Sequence, residues 1–169
     1  LKENKGAFFR LPMRGQKSVR QPVWDLAQCP ASANIAFRSD TTSLVIKALT
    51  RDAGHMSHMT LVGSNGLALF AGNPGCKLRL WRTAGPDQGN TAFERVLLEN
   101  LPKKMREFRL YLPLYKALDK LELGLTPGAV ILPPSPYALP KPVVFYGTSI
   151  TQGGCANTAG TDFVSSLGR

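Results

Sequence analysis

Ser149 is the residue whose setting favours covalent chemistry. It ends the run Gly147-Thr148-Ser149, which follows four apolar residues, Val143–Tyr146, and comes shortly before Gly153-Gly154. A serine hydroxyl attacks a carbonyl carbon when a neighbouring base accepts its proton, and backbone N–H groups of a tight turn can stabilise the resulting oxyanion. The pattern therefore makes Ser149 a candidate nucleophile. A structural turn or a phosphate-binding turn would have the same sequence pattern, because glycine-rich strand-to-helix turns serve those purposes too.

A base for Ser149 within this chain would have to be one of its two histidines, His55 and His58. A general base must lie within hydrogen-bond reach of the hydroxyl, and nothing in the sequence places His58 there. We therefore favour a structural, hydrogen-bonded role for His58 near the start of a strand. The i, i+3 spacing of the pair could also hold a metal ion, but no third ligand has suitable spacing, so no metal site and no cofactor are predicted.

Composition excludes two classes of function. The net charge is +10, from 21 Lys and Arg against 11 Asp and Glu, but the basic residues are scattered and no nucleic-acid-binding motif accompanies them. A net positive charge without such a motif indicates only non-specific attraction to polyanions, so we predict no nucleic-acid partner. No run of about 18 apolar residues occurs, so no membrane span is predicted either.

Three cysteines, Cys29, Cys76 and Cys155, are an odd number at wide spacing. That pattern fits neither a disulfide framework nor a metal site, so we expect buried free thiols, with one disulfide left open. No signal peptide follows Leu1. Because the chain does not start with Met, we expect its natural beginning to be missing, and localisation is left unknown.

Short alternating apolar runs separated by Gly- and Pro-rich turns fill the first 132 residues. Strands recurring at roughly ten-residue spacing predict an antiparallel β-sandwich, of jelly-roll type, with almost no helix. Lys77–Arg82 alternates cleanly, as expected of a strand with one face on a core and one in water. The predicted strands are Ile35–Arg38, Ser43–Leu49, Met59–Val62, Leu67–Phe70, Lys77–Arg82, Phe93–Leu98, Phe108–Leu112, Lys120–Gly124 and Ala129–Leu132.

Two proline clusters, Pro133–Pro136 and Pro140–Pro142, mark the predicted domain boundary. Proline fixes φ and keeps the preceding residue out of the helical region, so this stretch should be stiff and extended. We place an N-terminal β-sandwich accessory module at residues 1–138. A second domain is predicted to begin at residues 139–169.

The pattern after the boundary predicts strand, turn and helix. Val143–Tyr146 is a continuous apolar run of the kind found in parallel strands buried on both faces. Asp162–Leu167 begins a helix that Thr161 or Asp162 could cap. Strand, turn and helix in that order open an α/β domain. Ser149 would lie beyond the carboxyl end of the strand, where ligands gather in open α/β sheets.

Sugars stack on exposed aromatic rings, and four aromatic residues are candidates for a sugar-binding face of the sandwich. They are Trp24, Trp81, Tyr111 and Tyr115. In alternating strands such rings are more often part of the core, and we favour that interpretation.

The fifteen residues from Lys141 to Cys155 resemble the first sequence block of SGNH hydrolases, relatives of the GDSL esterases and lipases. In that block the serine after Gly-Asp or Gly-Thr is the nucleophile. The upstream sequence resembles the subgroup in which a β-sandwich module precedes the hydrolase domain. The phrases that carry this second resemblance are Arg10–Pro12, Val23–Leu26, Phe37–Asp40, His58-Met59 and Tyr111–Tyr115.

The resemblance implies an ester hydrolase that works through an acyl-serine intermediate, with Ser149 as nucleophile and its own N–H as an oxyanion donor. The implied substrate is a small-molecule or carbohydrate ester, with acyl groups on carbohydrate expected. The catalytic Asp and His and two further oxyanion donors would lie beyond Arg169. Residues 139–169 would then be an incomplete start of the hydrolase domain, whose remainder is a missing partner, and this chain alone would be inactive. A bacterial source is implied, and export is left open.

The alternative function is a non-catalytic β-sandwich module for carbohydrate binding or protein interaction.

Two departures from the family pattern bear on the upstream module and the turn. Gly66–Phe70 stands where the subgroup has Gly-x-Asp-Leu-Tyr, so Ala68 replaces an acid and Phe70 lacks a phenol oxygen. Asn157–Gly160 stands where Arg-Pro-Gly is expected.

Overall fold

A computed structural model describes residues 4–169 and shows a mainly β protein. Within those residues, eight strands form two antiparallel sheets: a five-stranded sheet in the order β4-β3-β6-β1-β8 and a three-stranded sheet in the order β5-β2-β7. The strands are β1 (Asn34–Ser39), β2 (Leu44–Thr50), β3 (Leu67–Gly72), β4 (Arg79–Ala84), β5 (Ala92–Leu98), β6 (Arg106–Tyr111), β7 (Leu118–Leu125) and β8 (Ile131–Leu132).

The helices are few and short. The described residues contain a 3₁₀ helix at Met13–Ser18 and four α-helices: α1 (Gln21–Ala27), α2 (Leu61–Asn65), α3 (Ser149–Gln152) and α4 (Phe163–Leu167). The longest, α1, has seven residues. The predicted class, an antiparallel β-sandwich with almost no helix, is confirmed.

The main core lies between the two sheets. Along β2, Leu44, Ile46 and Ala48 are buried while Lys47 and Leu49 are exposed, which is the period-2 pattern of a strand with one face on a core. From the opposite sheet, β3 and β6 contribute buried side chains to the same core. These inner-face residues are Leu67, Leu69, Ala71, Phe108 and Leu110.

The outer face of the five-stranded sheet is covered as well. A second buried cluster joins β3 and β6 to the segment after α3, and its members are Ala31, Met59, Ala68, Phe70, Leu78, Tyr111, Leu114 and Ala159. Five of the six residues of β3 are consequently buried. A sheet covered on both faces reads as a continuous apolar run, which accounts for the composition of Gly66–Phe70.

Eight of the nine predicted strands overlap an observed strand, and Met59–Val62 does not. That segment leads into α2, whose N-cap is Thr60: its hydroxyl accepts a hydrogen bond from the Gly63 N–H at 3.0 Å. Threonine is a good N-cap, and this local hydrogen bond favours a helical turn over an extended chain. The strand prediction was wrong because apolar residues alone cannot reveal the cap.

The prediction of a half-buried strand at Lys77–Arg82 was wrong in its burial. The observed strand β4 begins at Arg79, and its first five residues are exposed, with Leu80 at 47% and Trp81 at 46%. β4 is an edge strand of the five-stranded sheet, and a three-stranded sheet cannot cover all five strands. A β-bulge opposite Leu69 and Phe70 further changes the direction of the β4 side chains.

Glu107 connects the sandwich to the proline-rich segment that follows β8. Its buried carboxylate accepts hydrogen bonds from the N–H groups of Ser135 and Gly75, each at 3.2 Å. Burial acts against the charged form, but the hydrogen bonds from Ser135 and Gly75 outweigh it, so the pKa of Glu107 is lower than usual. The carboxylate thus holds two loops against β6.

Acid should weaken this link selectively. Because the pKa of Glu107 is lowered by folding, its stabilising contribution is complete above the ordinary glutamate pKa of about 4.3 and is lost as the pH falls through the folded-state value. Glu107→Gln removes the charge and should cost roughly 1–3 kcal/mol at neutral pH. Thermal unfolding of both proteins between about pH 3 and pH 7 measures the effect, and the difference should shrink toward acid pH. A difference that is constant with pH would contradict this role.

Candidate active site

Ser149 is the first residue of α3, a helix of only four residues. Thr148 precedes it with φ −103° and ψ −146°, and Gly153 ends the helix in the left-handed region at φ +97°. A side chain at Gly153 would be strained, and its Cβ would lie 3.1 Å from the methyl groups of Leu114. The Ser149 carbonyl accepts a hydrogen bond from the Gly154 N–H at 2.7 Å. The sequence therefore folds into a tight turn that presents Ser149 at its start.

The outer side of this turn is open. Ser149 is exposed, and Ile150 is 73% exposed. Val144 and Tyr146, in the apolar run before the turn, are 83% and 100% exposed. Ser149 therefore lies on the solvent-exposed side of the turn.

The strand predicted at Val143–Tyr146 is not formed within residues 4–169. A strand requires a neighbour to complete its backbone hydrogen bonds, and none of the eight described strands lies beside this segment. The turn and the helix after it are present. The predicted helix Asp162–Leu167 corresponds to α4, and the cap is Asp162 rather than Thr161: its Oδ1 accepts from the Ser165 N–H at 2.8 Å.

The inner side of the turn lies on the sandwich. Gln152 is buried, and its Nε2 donates to the Leu114 carbonyl at 3.1 Å. The Arg10 guanidinium donates to Gln152 Oε1 at 2.8 Å. The Tyr115 hydroxyl donates to the Ser149 carbonyl at 3.1 Å. The start of the chain and the loop after β6 therefore both hold α3.

Sequence reasoning missed Arg10 and Gln152 as residues of the site. Arg10 is itself well held, because it also donates to the carbonyls of Cys29 and Leu26 at 2.9 and 2.7 Å. Burial lowers the pKa of Arg10 and raises that of the Cys29 thiol. The available signal was that both Arg10 and Gln152 lie in the phrases that carry the family resemblance, but nothing local in either phrase shows that they meet.

The segment after α3 lies against the outer face of the five-stranded sheet. The Thr60 hydroxyl donates to the Asn157 carbonyl at 2.7 Å, and Ala159 is completely buried. Farther on, the Arg169 guanidinium lies 4.0 Å from the centre of the Phe70 ring. Ser32 also donates to Asp162 at 2.9 Å.

The departure at Ala68 and Phe70 has a structural consequence. Both residues are buried in the apolar cluster that receives Ala159, with Ala68 at 0% and Phe70 at 4% exposure. An acid at position 68 would have to be buried there. The hydroxyl of Thr158, in the second departing segment, is buried without a hydrogen-bond partner among residues 4–169.

Neither histidine reaches Ser149. His55 and His58 are exposed in the loop before α2, and no hydrogen bond joins either of them to another described residue. The structural hydrogen bond predicted for His58 is therefore not found in the described part of the chain. The Ser149 hydroxyl likewise has no side-chain partner between residues 4 and 169. Residues 4–169 thus present an exposed serine in a tight turn, with no histidine hydrogen-bonded to it.

The thiols are only partly as predicted. All three cysteines are free; Cys29 is buried, whereas Cys76 and Cys155 are exposed. Across the described residues, no group of three His, Cys, Asp or Glu side chains could hold a metal ion. No helix in that part of the chain is long and apolar enough to cross a membrane.

The four aromatic residues do not form one surface. Trp24 and Tyr111 are buried at 4% and 1% exposure, so the core interpretation is correct for them. Tyr115 is partly buried against α3, and Trp81 alone of the four is well exposed. A sugar-binding face built from all four rings is therefore excluded.

Comparison with known proteins agrees with the sheet and turn architecture. The family described as "GxDLY: N-terminus of Esterase_SGNH_hydro-type" matches residues 1–131. A protein from Bacteroides ovatus described as GDSL-like lipase superposes with a TM-score of 0.86 and 29% identity, over 96% of this chain and 47% of that one. This chain therefore spans about half the length of that relative.

A second solved structure is a salicylyl-acyltransferase from a tetracycline biosynthetic pathway. It superposes with a TM-score of 0.52 and 18% identity, over 74% of this chain and 33% of its own, which shows a shared fold. Among curated proteins, none matches the chain significantly. The match over residues 1–131 covers most of the 169 residues. The chain therefore belongs to the GxDLY family, the N-terminal part of SGNH-hydrolase-type esterases.

Proposed function

We propose that this chain is part of an SGNH-type ester hydrolase, in which residues 1–138 are an accessory module and residues 139–169 begin the catalytic domain. Ser149 is the nucleophile. The observation that carries the proposal is the exposed Ser149 at the start of α3, in a turn whose inner side is fixed to a GxDLY module. Modules of this family precede hydrolase domains of the SGNH type, which supports the assignment.

The proposed reaction passes through an acyl-serine. Ser149 Oγ attacks the ester carbonyl carbon while a histidine takes the hydroxyl proton, and the carbonyl oxygen becomes an oxyanion that accepts a hydrogen bond from the Ser149 N–H. When the oxyanion collapses, the ester C–O bond breaks and the alcohol leaves with the proton from the imidazolium. Water then attacks the acyl-serine in the same way and releases the acid.

The base is proposed to come from outside the described residues. His55 and His58 make no hydrogen bond to Ser149, and this chain covers 47% of the Bacteroides ovatus relative. The other half of such a protein would supply the histidine, its carboxylate and further oxyanion donors. The substrate proposed is a small-molecule or carbohydrate ester, with short acyl groups on a carbohydrate as the preferred class.

Hydrolysis of p-nitrophenyl acetate tests the assignment. We expect no turnover above buffer from the 169-residue chain, because a serine without its base contributes little. A chimera that joins this chain to the second half of the Bacteroides ovatus relative should hydrolyse p-nitrophenyl acetate. In that chimera Ser149→Ala should reduce kcat by at least about 10³-fold. Ser166→Ala, at an exposed serine of α4, is the matched control and should leave the rate unchanged.

Two outcomes would contradict the proposal. Turnover by the 169-residue chain that disappears in Ser149→Ala would mean that a base lies within these residues. Turnover by the extended protein that survives Ser149→Ala would mean that another residue is the nucleophile.

A further inference from the structure

The helix that carries Ser149 is too short to hold its own shape. α3 has four residues, about one turn, and a single turn fixes several backbone dihedrals in return for one hydrogen bond. Isolated helices shorter than about 12 residues are marginal in water. The conformation of the turn around Ser149 must therefore be set by contacts with other parts of the protein.

Those contacts come from the sandwich. Arg10 Nη2 donates to Gln152 Oε1 at 2.8 Å, and Gln152 Nε2 donates to the Leu114 carbonyl at 3.1 Å. A guanidinium can only donate and a carbonyl can only accept, so these two partners fix the orientation of the Gln152 amide. Since Gln152 is the last residue of α3, the end of the helix is fixed with it.

A second contact acts on Ser149 itself. The Ser149 carbonyl accepts from the Tyr115 hydroxyl at 3.1 Å and from the Gly154 N–H at 2.7 Å. Two donors on one carbonyl restrict rotation of the peptide unit that joins Ser149 to Ile150. The direction of the Ser149 side chain depends on the same backbone. Burial against the turn raises the pKa of Tyr115, so its hydroxyl remains protonated and able to donate at neutral pH.

We propose that Arg10, Tyr115 and Gln152 form a clamp by which the β-sandwich positions the nucleophile, an inference that rests on the proposed function of Ser149. The three are positioning residues, because they hold the backbone of the turn and none of them reaches the Ser149 hydroxyl. Through Arg10 and Tyr115, the GxDLY module thereby sets the backbone geometry of the active site.

Amide hydrogen exchange of the 169-residue chain tests the clamp without requiring catalysis. The N–H groups of Gln152, Gly153 and Gly154 close the turn, donating to the carbonyls of Thr148, Ile150 and Ser149. In Gln152→Met, which leaves the bonds from Arg10 to Leu26 and Cys29 in place, the Gly153 and Gly154 amides should exchange at least about tenfold faster. Amides of β2 and β6 in the same sample should not change.

Arg10→Met and Tyr115→Phe should produce the same local increase. Arg10→Lys should restore only part of the protection, because one ammonium cannot replace a guanidinium that reaches three acceptors. Arg95→Met is the matched control, since Arg95 on β5 donates to Glu94 and Asp87 and makes no hydrogen bond to the turn. In the double variant Arg10→Met/Gln152→Met, the two effects should be less than additive.

Exchange at residues 152–154 that stays unchanged in Gln152→Met, or that rises equally throughout the sandwich, would overturn the clamp. In the extended, hydrolytic form, Gln152→Met and Tyr115→Phe should lower kcat roughly 10- to 100-fold with little change in KM. An unchanged kcat, in a form that Ser149→Ala inactivates, would refute positioning and leave the proposed function intact. Turnover that survives Ser149→Ala would refute the proposed function, while amide exchange would still decide whether the clamp holds the turn.

Discussion

Replacing Gly160 by alanine is expected to destabilise the protein by roughly 2–5 kcal/mol, the sum of two costs. Gly160 has φ +79°, a left-handed conformation that costs an L-residue about 1–2 kcal/mol. An added Cβ would also lie 2.6 Å from a ring carbon of Tyr111 and 2.7 Å from one of Phe70. Both rings are buried, so neither can move away easily. The substitution should release the segment after α3 from the sheet.

A matched control separates these two costs. Gly128 has φ +76°, and a Cβ there would meet nothing within 4 Å. Gly128→Ala should therefore show only the backbone cost. Urea unfolding of the three proteins measures the difference. Equal destabilisation by the two substitutions would mean that Gly160 is not packed against the rings as described.

Replacing Leu110 by alanine should cost about 2–5 kcal/mol, the usual range for a leucine removed from a packed interior. Leu110 lies on β6 between the two sheets and is completely buried. Neighbours from both sheets would face the cavity, and a strand in the middle of the five-stranded sheet cannot move to fill it. The melting temperature should fall by about 2–4 °C for each kcal/mol.

Leu167 supplies the control for Leu110. It is the last residue of α4 and is 70% exposed, so Leu167→Ala removes the same atoms from water rather than from a core. Its melting temperature should stay within about 1–2 °C of the parent, as for surface substitutions in general. A comparable loss in both variants would contradict the assignment of the core to the space between the sheets.

The sandwich could be predicted because most of its information is local. In β2, alternation alone identifies Leu44 and Ile46 as core residues, and the turns between strands are marked by glycine and proline. The failures have equally physical causes. The helical conformation that follows Met59 depends on the Thr60 cap. The exposure of the β4 side chains depends on the place of β4 at the edge of its sheet. Val143–Tyr146 forms no strand because no described strand, among residues 4–169, lies beside it.

The site was only half predictable. The glycines around Ser149 mark the turn in the sequence, and the block around it resembles a known family. Arg10 and Gln152 are 142 positions apart, and Tyr115 and Ser149 are 34 apart. No periodicity or spacing rule connects residues at such distances, because their contact depends on how the sheets pack. The positioning residues therefore became visible only in the folded protein.

The clamp also gives this chain an order of assembly. During synthesis, domains fold from the N-terminus as the ribosome adds about 5–20 residues per second. The last strand of the sandwich, β8, ends at Leu132, which precedes Ser149 by 17 residues, so the whole sandwich is made roughly 1–3 s before Ser149. A sandwich can form within that time, since sandwich-type domains fold in milliseconds to seconds. The turn around Ser149 is therefore made after every strand of the sandwich, and we expect this one-turn helix to form on an already folded module.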